Sequence, residues 1–301
     1  MENFSSEKSL NGVLNIYKPL GITSNGVVTR IRRLTGIKKV GHTGTLDPEA
    51  EGVLPICIGK GTKVAGMLTD SNKAYRATIR LGVTTDSQDM TGTVLSQCEV
   101  KVSQEDFENA VMSFVGEISQ IPPMYSAIKQ NGQPLYKLAR KGVEVERKPR
   151  NITIFKIEII EFSGETAVFD VYCSKGTYIR TLCADIGEKL GCGAAMEALV
   201  RIKSGCFEIA DSVTLEYLEE HPEEIKSLIT PPEKLFDYPE YKATLKETEK
   251  IKNGISLNAE SLEEGTTYKV FSVDGEFLCI SVVSEGSLKM LQSFYGGGGE
   301  G

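Results

Sequence analysis

The chain has only two histidines, His42 and His221, and none of its seven cysteines forms a C-x-x-C pair. Structural and catalytic zinc sites take imidazole and thiolate ligands at short spacings, so this inventory offers no zinc centre and metal catalysis is not expected. The cysteine count is odd, and most of Cys57, Cys98, Cys173, Cys183, Cys192, Cys206 and Cys279 stand in apolar context. That is the usage of free thiols in a reducing compartment. No apolar run approaches the roughly 18 residues that cross a bilayer, and residues 1–10 are polar, without the apolar core of an export signal. A phosphate-cradling G-x-x-x-x-G-K-[ST] loop is missing too. Around Gly59-Lys60 the first anchor is Leu54 and the last is Gly61. The expectation is a soluble cytoplasmic protein without metal or cofactor.

What is present is an ordinary globular composition, 40% hydrophobic and 25% charged over 301 residues. A chain of this length has room for two domains. Its net charge of −7 is unevenly spread. Residues 1–210 carry 26 Lys and Arg against 23 Asp and Glu, whereas residues 211–301 carry 8 against 18. Basic residues cluster in 1–40 and again in 129–150, seven against two acidic in each. A local basic surface is what binds phosphates, although a solvated loop has the same composition.

The pattern along the chain mixes strands and helices without regular alternation, which argues for an α+β fold. Residues 13–17 read as a strand, and Ser24 is placed to cap a helix with Val27, Val28, Ile31 and Leu34 on one face and Gly36 at its end. Residues 73–81 alternate strictly, with Tyr75, Ala77, Ile79 and Leu81 on one face of a half-buried strand. A helix is expected over 103–115, strands over 152–162 and 166–173, and a helix after Arg180 that stops at Gly191. Residues 121–150 fit no period and read as an inserted basic loop with a short helix near 135–140. Beyond the acidic, proline-containing stretch 219–239, strands at 268–273, 277–283 and 288–292 suggest a small β-rich unit, with Asp274-Gly275 as a hairpin turn.

The run Gly41-His42-Thr43-Gly44-Thr45-Leu46-Asp47-Pro48 is the most unusual in the chain. An aspartyl-phosphate motif of the D-K-T-G-T type would need its nucleophile where Gly41 stands. Asp47 before Pro48 is held to extended conformations. It suits either an oriented carboxylate nucleophile or an ordinary turn aspartate.

This run, continued by Gly52-Val-Leu-Pro55 and Gly59-Lys-Gly-Thr-Lys63, resembles the catalytic motif of the TruB-type tRNA pseudouridine synthases. Tyr17-Lys18-Pro19, Lys73-Ala-Tyr75-Arg76-Ala77, Ile121-Pro-Pro-Met-Tyr-Ser-Ala127, Cys173-Ser-Lys-Gly-Thr-Tyr-Ile-Arg180 and Leu199-Val-Arg201 follow in the family's order. The resemblance covers roughly residues 12–210. It implies a mixed or antiparallel central sheet flanked by helices, in a catalytic domain over 1–235 with a thumb-like insertion at about 122–150. A small PUA-like RNA-binding domain over 236–295 and a disordered tail at 296–301 would follow.

The resemblance also implies roles. Asp47 matches the catalytic aspartate, Tyr75 the tyrosine that lies against the target uracil, and Arg180 the arginine paired with the catalytic carboxylate. His42 matches the histidine that fills the hole left by the flipped base, while Tyr178 and Leu199 match pocket residues. Lys18, Lys63, Lys129, Arg140 and Lys141 are further expected substrate contacts. One departure is Val200, where many relatives carry a second arginine, which puts one phosphate contact in doubt. The implied activity is isomerisation of uridine in the T arm of tRNA by a monomer that needs no membrane, obligate protein partner, metal or cofactor. That need is consistent with the chemistry, since no redox change or group transfer occurs. The alternatives are the catalytic subunit of an RNA-guided pseudouridylase, and a non-catalytic tRNA-binding or folding protein.

Overall fold

The structure is a computed structural model. It describes residues 10–296 apart from 127, 131, 140 and 144, and apart from the side chains of 129, 134 and 136. The first strand, β1 (Gly12–Lys18), is followed by helix α1 (Ser24–Thr35). The cap of α1 is Thr23 rather than the expected Ser24: the Thr23 hydroxyl accepts from the Gly26 N–H. Ser24 begins the helix and uses its hydroxyl elsewhere. Gly36 ends α1 at φ 70°, donating to the Arg32 carbonyl. Strands β2 (Val40–His42) and β3 (Ala50–Ile58), helix α2 (Ala65–Thr69) and strand β4 (Lys73–Leu81) come next. The alternation read in 73–81 is that of β4, with Ala77 and Ile79 fully buried and Arg76 exposed.

A hairpin of β5 (Val83–Thr85) and β6 (Val94–Gln97) leads to α3 (Gln104–Met112), capped by Ser103, and to β7 (Gly116–Gln120). The insertion holds a small hairpin, β8 (Lys129–Gln130) and β9 (Gln133–Pro134), and the short helix α4 (Leu135–Ala139). Strands β10 (Arg150–Phe162) and β11 (Thr166–Cys173) are followed by α5 (Ile179–Lys189) and β12 (Ala194–Ser204). Gly187 lets α5 approach β12, because a Cβ there would lie 2.2 Å from the Ala194 nitrogen. Short elements β13 (Phe207–Glu208), β14 (Val213–Thr214), α6 (Leu215–Glu220) and α7 (Ile225–Leu228) complete this part.

Ten of these strands form one mixed sheet, ordered β14-β1-β3-β12-β4-β11-β10-β7, with β2 on β3 and β13 on β12. The pairs β1–β14 and β3–β12 are parallel and the others antiparallel. Two apolar cores lie along this sheet. One packs α3 and α5 through Phe107, Leu182 and Ile186 against Ile79 and Phe169. The other packs α1 and α6 through Val27, Ile31, Leu215 and Leu218 against Leu14 and Leu54. Tyr75 and Leu199 touch both cores, so the seam between the cores is where the candidate site forms.

The C-terminal part is the β-rich unit expected. Its five-stranded sheet comprises β15 (Glu240–Lys242), β16 (Leu257–Asn258), β17 (Thr267–Phe271), β18 (Phe277–Ser284) and β19 (Ser287–Ser293), with helix α8 (Leu245–Lys252) against it. Gly275 turns the β17–β18 hairpin at φ 81°. Ile280 and Phe294 enter an apolar cluster with Val13, Val53 and Leu68, which seats this sheet against the first. Of the expected tail, 297–301 lies outside the described residues. Among the described residues no helix is long and apolar enough to cross a membrane.

Candidate active site

The loop carrying Asp47 is fastened at nearly every residue. The Ser24 hydroxyl accepts from the Leu46 N–H and donates to the Leu46 carbonyl, both at 2.9 Å. The Gly21 N–H donates to the Pro48 carbonyl, and the Ala50 N–H to that of Asp47. Lys18, expected to meet substrate, is fully buried. Its ammonium donates to the carbonyls of Pro19, Pro48 and Ala50 at 2.9, 3.4 and 2.7 Å. All three donors are consumed, so Lys18 is a strut under the aspartate loop and not a phosphate contact.

Arg180, in the first turn of α5, reaches the other side of Asp47. One terminal nitrogen donates to Asp47 Oδ2 at 2.9 Å and to the Tyr125 carbonyl at 2.8 Å. The other donates to Asp89 Oδ2 at 3.0 Å. Asp89 was not singled out from the sequence. It lies in the β5–β6 turn and also accepts from the Ser87 hydroxyl, the Thr91 N–H and the Thr91 hydroxyl. The side chains of Arg180 and Asp89 are 10% and 11% exposed, against 53% for Asp47. The guanidinium is therefore fixed from behind and presents one carboxylate to solvent.

Two cavities, of about 540 and 680 Å³, meet at Asp47, Tyr125, Ser126 and Arg180. Such volumes suit a nucleobase with its sugar and a neighbour. Tyr75, Tyr178, Leu199 and Arg201 line the first cavity and His42 the second. Tyr178 is set by Gln120, buried on β7, whose amide accepts from the Tyr178 N–H and donates to its carbonyl at 2.8 and 3.0 Å. Burial raises the Tyr178 hydroxyl pKa above its ordinary value. Burial also pushes the Tyr75 hydroxyl up, with the neighbouring Arg201 charge pulling it back. His42 is held toward its neutral form by burial and then by Arg201, and its Nδ1 is buried with no partner among the described residues.

Arg201 itself is 1% exposed. Its Nε donates to the Val53 carbonyl at 2.7 Å and Nη2 to the Gly44 carbonyl at 3.2 Å. The close approach of β3 to β12 here requires Gly52, at φ 102°, since a Cβ would meet the Arg201 carbonyl oxygen at 2.3 Å. In register, Arg201 faces Tyr75 and Val200 faces Arg76. Position 200 thus lies on the face of the sheet away from Tyr75, and an arginine there would not line this side of the pocket.

The other expected contacts do not converge here. Lys63 donates to the Ser293 carbonyl at 2.7 Å and ties β19 to the first sheet, so it braces the two sheets and lines neither cavity. Lys141 is exposed on the insertion. Arg140 and the side chain of Lys129 lie outside the described residues. Among the described residues one group of candidate metal ligands comes together, His221, Glu223 and Glu224, and it lines neither cavity.

Fold and pocket together define a class. The chain matches a chain from the crystal structure of a Cbf5–Nop10–Gar1 complex at TM-score 0.73 and 26% identity, covering 95% of this chain and 85% of that one. Residues 32–179 match the TruB family pseudouridylate synthase N-terminal domain, and residues 180–237 the tRNA pseudouridylate synthase B C-terminal domain. The class is pseudouridylate synthase, an isomerase. Among relatives, the tRNA pseudouridine synthase B of Clostridium kluyveri is 47% identical over 290 residues, covering 95% of this chain and 100% of its own length. That of Alkaliphilus oremlandii is 53% identical over 230 residues, covering 76% and 75%. The chain belongs to the TruB family, as its motifs led us to expect.

Proposed function

We propose that this chain isomerises uridine to pseudouridine in the T arm of tRNA. The observation that carries the reading is the half-exposed Asp47 carboxylate, held 2.9 Å from a buried arginine between two base-sized cavities. Relatives named tRNA pseudouridine synthase B support the substrate. A uridine in a folded arm hides its reacting atoms, so it must leave the stack to enter the first cavity. There Tyr75 offers a stacking face worth about 1–3 kcal/mol, and Tyr178 and Leu199 close the walls. Asp47 promotes cleavage of the N1–C1′ bond, and Arg180 holds its carboxylate in place through the 2.9 Å contact to Oδ2. The freed uracil turns and bonds to C1′ through C5, losing a proton at C5 and gaining one at N1. In this reading the Tyr75 hydroxyl gives the N1 proton and takes the C5 proton. His42, neutral and in the adjoining cavity, fills the space the base vacates.

Phosphates are gripped by the exposed insertion, including Lys137 and Lys141. The α1 arginines contribute less, because Arg30 and Arg33 already pair with Glu219 at 3.2 and 3.4 Å. The unit over 236–295 adds PUA-like binding surface. The test is to incubate purified protein with an unmodified tRNA transcript and map any pseudouridine. Formation in the T arm by the protein alone is the expected result. Modification elsewhere, or activity only with a guide RNA and partner subunits, would replace this reading.

A further inference from the structure

Arg180 and Arg201 are the two buried guanidiniums of the pocket, and their partners differ in kind. Arg180 sits between two carboxylates. Arg201, more deeply buried, makes no ion pair with a carboxylate among the described residues; it donates to two backbone carbonyls and stands opposite Tyr75 as its register partner, on the same face of the sheet. A buried charge without a counter-charge is costly, and carbonyl dipoles only partly replace water. The fold nevertheless spends three strands on it: β12 carries it, β3 supplies the Val53 carbonyl, and β4 presents Tyr75 as its register partner. The Gly44 carbonyl, three residues before Asp47, fixes the remaining end.

The reaction explains what such an arrangement would serve. In the isomerisation proposed above, the electron pair of the broken N1–C1′ bond stays on N1. The Tyr75 hydroxyl gives its proton to that nitrogen and becomes a phenolate. C1′, left electron-deficient when that pair departed, takes the C5=C6 π pair to form the new C5–C1′ bond; the phenolate then takes the C5 proton, and the C–H electron pair restores the C5=C6 double bond. The tyrosine ends as it began, with a negative charge on its oxygen in between. We propose that Arg201 is a positioning residue whose buried guanidinium is the standing counter-charge for this transient phenolate and locks Tyr75 to the Asp47 loop. This inference rests on the reading of the site as a uridine isomerase.

The test is single-turnover pseudouridine formation on an unmodified tRNA transcript by the full chain, its Arg201→Met, Arg201→Lys and Tyr75→Phe variants, and the Arg201→Met/Tyr75→Phe double variant. Arg201→Met is expected to slow the reaction by about 10²-fold or more with tRNA affinity nearly unchanged. Arg201→Lys, which keeps the charge but loses the fork, should recover part of the rate. The double variant should be little slower than Tyr75→Phe alone, because both remove one device. A direct readout is 3-fluorotyrosine placed at position 75 and titrated by fluorine NMR. Its midpoint should move up by about one pH unit or more in Arg201→Met, a shift that a purely structural arginine would not cause. Losses that multiply in the double variant, or an unmoved midpoint, would overturn the proposal. If Arg201→Met does not fold, Arg201→Lys carries the titration and the cycle. An inactive parent chain would sink the functional reading itself, whereas an active parent with indifferent Arg201 variants would sink this inference alone.

Discussion

Two carboxylates reach Arg180 from opposite sides, and the protein surrounds them differently. Asp89 is almost buried and accepts from Ser87, from Thr91 twice and from Arg180, so its lone pairs are committed to holding a turn and a guanidinium in place. Asp47 is half exposed, lines both cavities, and its side chain has Arg180 as its ion-pair partner through Oδ2. The same residue type thus serves as anchor in one place and as reagent in the other. The difference is made by what the backbone supplies: the β5–β6 turn offers hydroxyls and an N–H to Asp89, while the Asp47 loop spends its bonds on its own backbone.

Removing the reagent should have the largest effect. Asp47→Asn keeps the shape and the loop, so melting temperature and tRNA affinity should stay close to the parent. Pseudouridine formation should fall by about 10⁴-fold or more, because an amide cannot do the work of the charged carboxylate. Turnover above a few per cent of the parent would return Asp47 to the role of a turn former. Removing the anchor should cost less in rate and more in stability. Asp89→Asn leaves acceptors for Ser87 and Thr91 but turns a neutral amide toward Arg180. A rate loss of roughly 10–100-fold is expected, with about 1–3 kcal/mol of stability lost from the buried network. Unfolding curves and single-turnover rates on one preparation separate these effects. A variant that unfolds more easily but turns over at the parent rate would show that Asp89 does not act through Arg180.

The contrast between committed and available groups holds for cations too. Lys18 is enclosed by three carbonyls, whereas Lys137 and Lys141 are exposed on the insertion. Replacing Lys137 and Lys141 by Ala should weaken tRNA binding and lower the magnitude of its salt slope by roughly 0.7–0.9 per lost contact. Lys18→Met should leave that slope alone and lower activity through the loosened Asp47 loop. An unchanged slope for the insertion variant would place the RNA on another face.

Much of this was legible in the sequence, and what was not has physical causes. Strand β4 showed itself because one of its faces is buried and the other is not, and the motif around Asp47 pointed to its loop. Strand β12 gave no periodic signal. Register shifts between Met196 and Ala198 and between Arg201 and Lys203 break its alternation. Arg201 therefore stood out only as part of the Leu199-Val-Arg201 motif, with nothing in the sequence to show its burial. Asp89 reads locally as a turn residue between Ser87 and Thr91; its partner Arg180 is 91 positions away and meets it only through the fold. Lys18 looked like a phosphate contact because the carbonyls of Pro48 and Ala50, which enclose it, belong to a loop some 30 residues on.

A third carboxylate sharpens the comparison, because it has neither Asp89's donors nor Asp47's cation. Asp185, on α5, is half-buried with no hydrogen-bonding or ion-pair partner among the described residues, and burial, with the Glu188 charge one turn on, raises its pKa to about 6. An unfolded aspartate titrates near 3.9. The folded state therefore holds this proton more tightly than the unfolded state. The resulting stabilisation is complete below about pH 4 and is lost as pH rises through about 6; above that the charged form carries a constant penalty. Asp185→Asn mimics the protonated form at every pH. The variant and the parent should melt together near pH 4, separate between about pH 4 and 6, and stay apart above it, the variant being higher by about 2–4 °C once solvent screening is allowed for. All other titrating groups are shared by the two chains, so the difference curve isolates this one. Catalysis should be unaffected, since Asp185 lines neither cavity. Melting curves that coincide across the whole range would mean that solvent already satisfies Asp185, and that burial alone, without the loss of partners, does not distinguish the carboxylates of this protein.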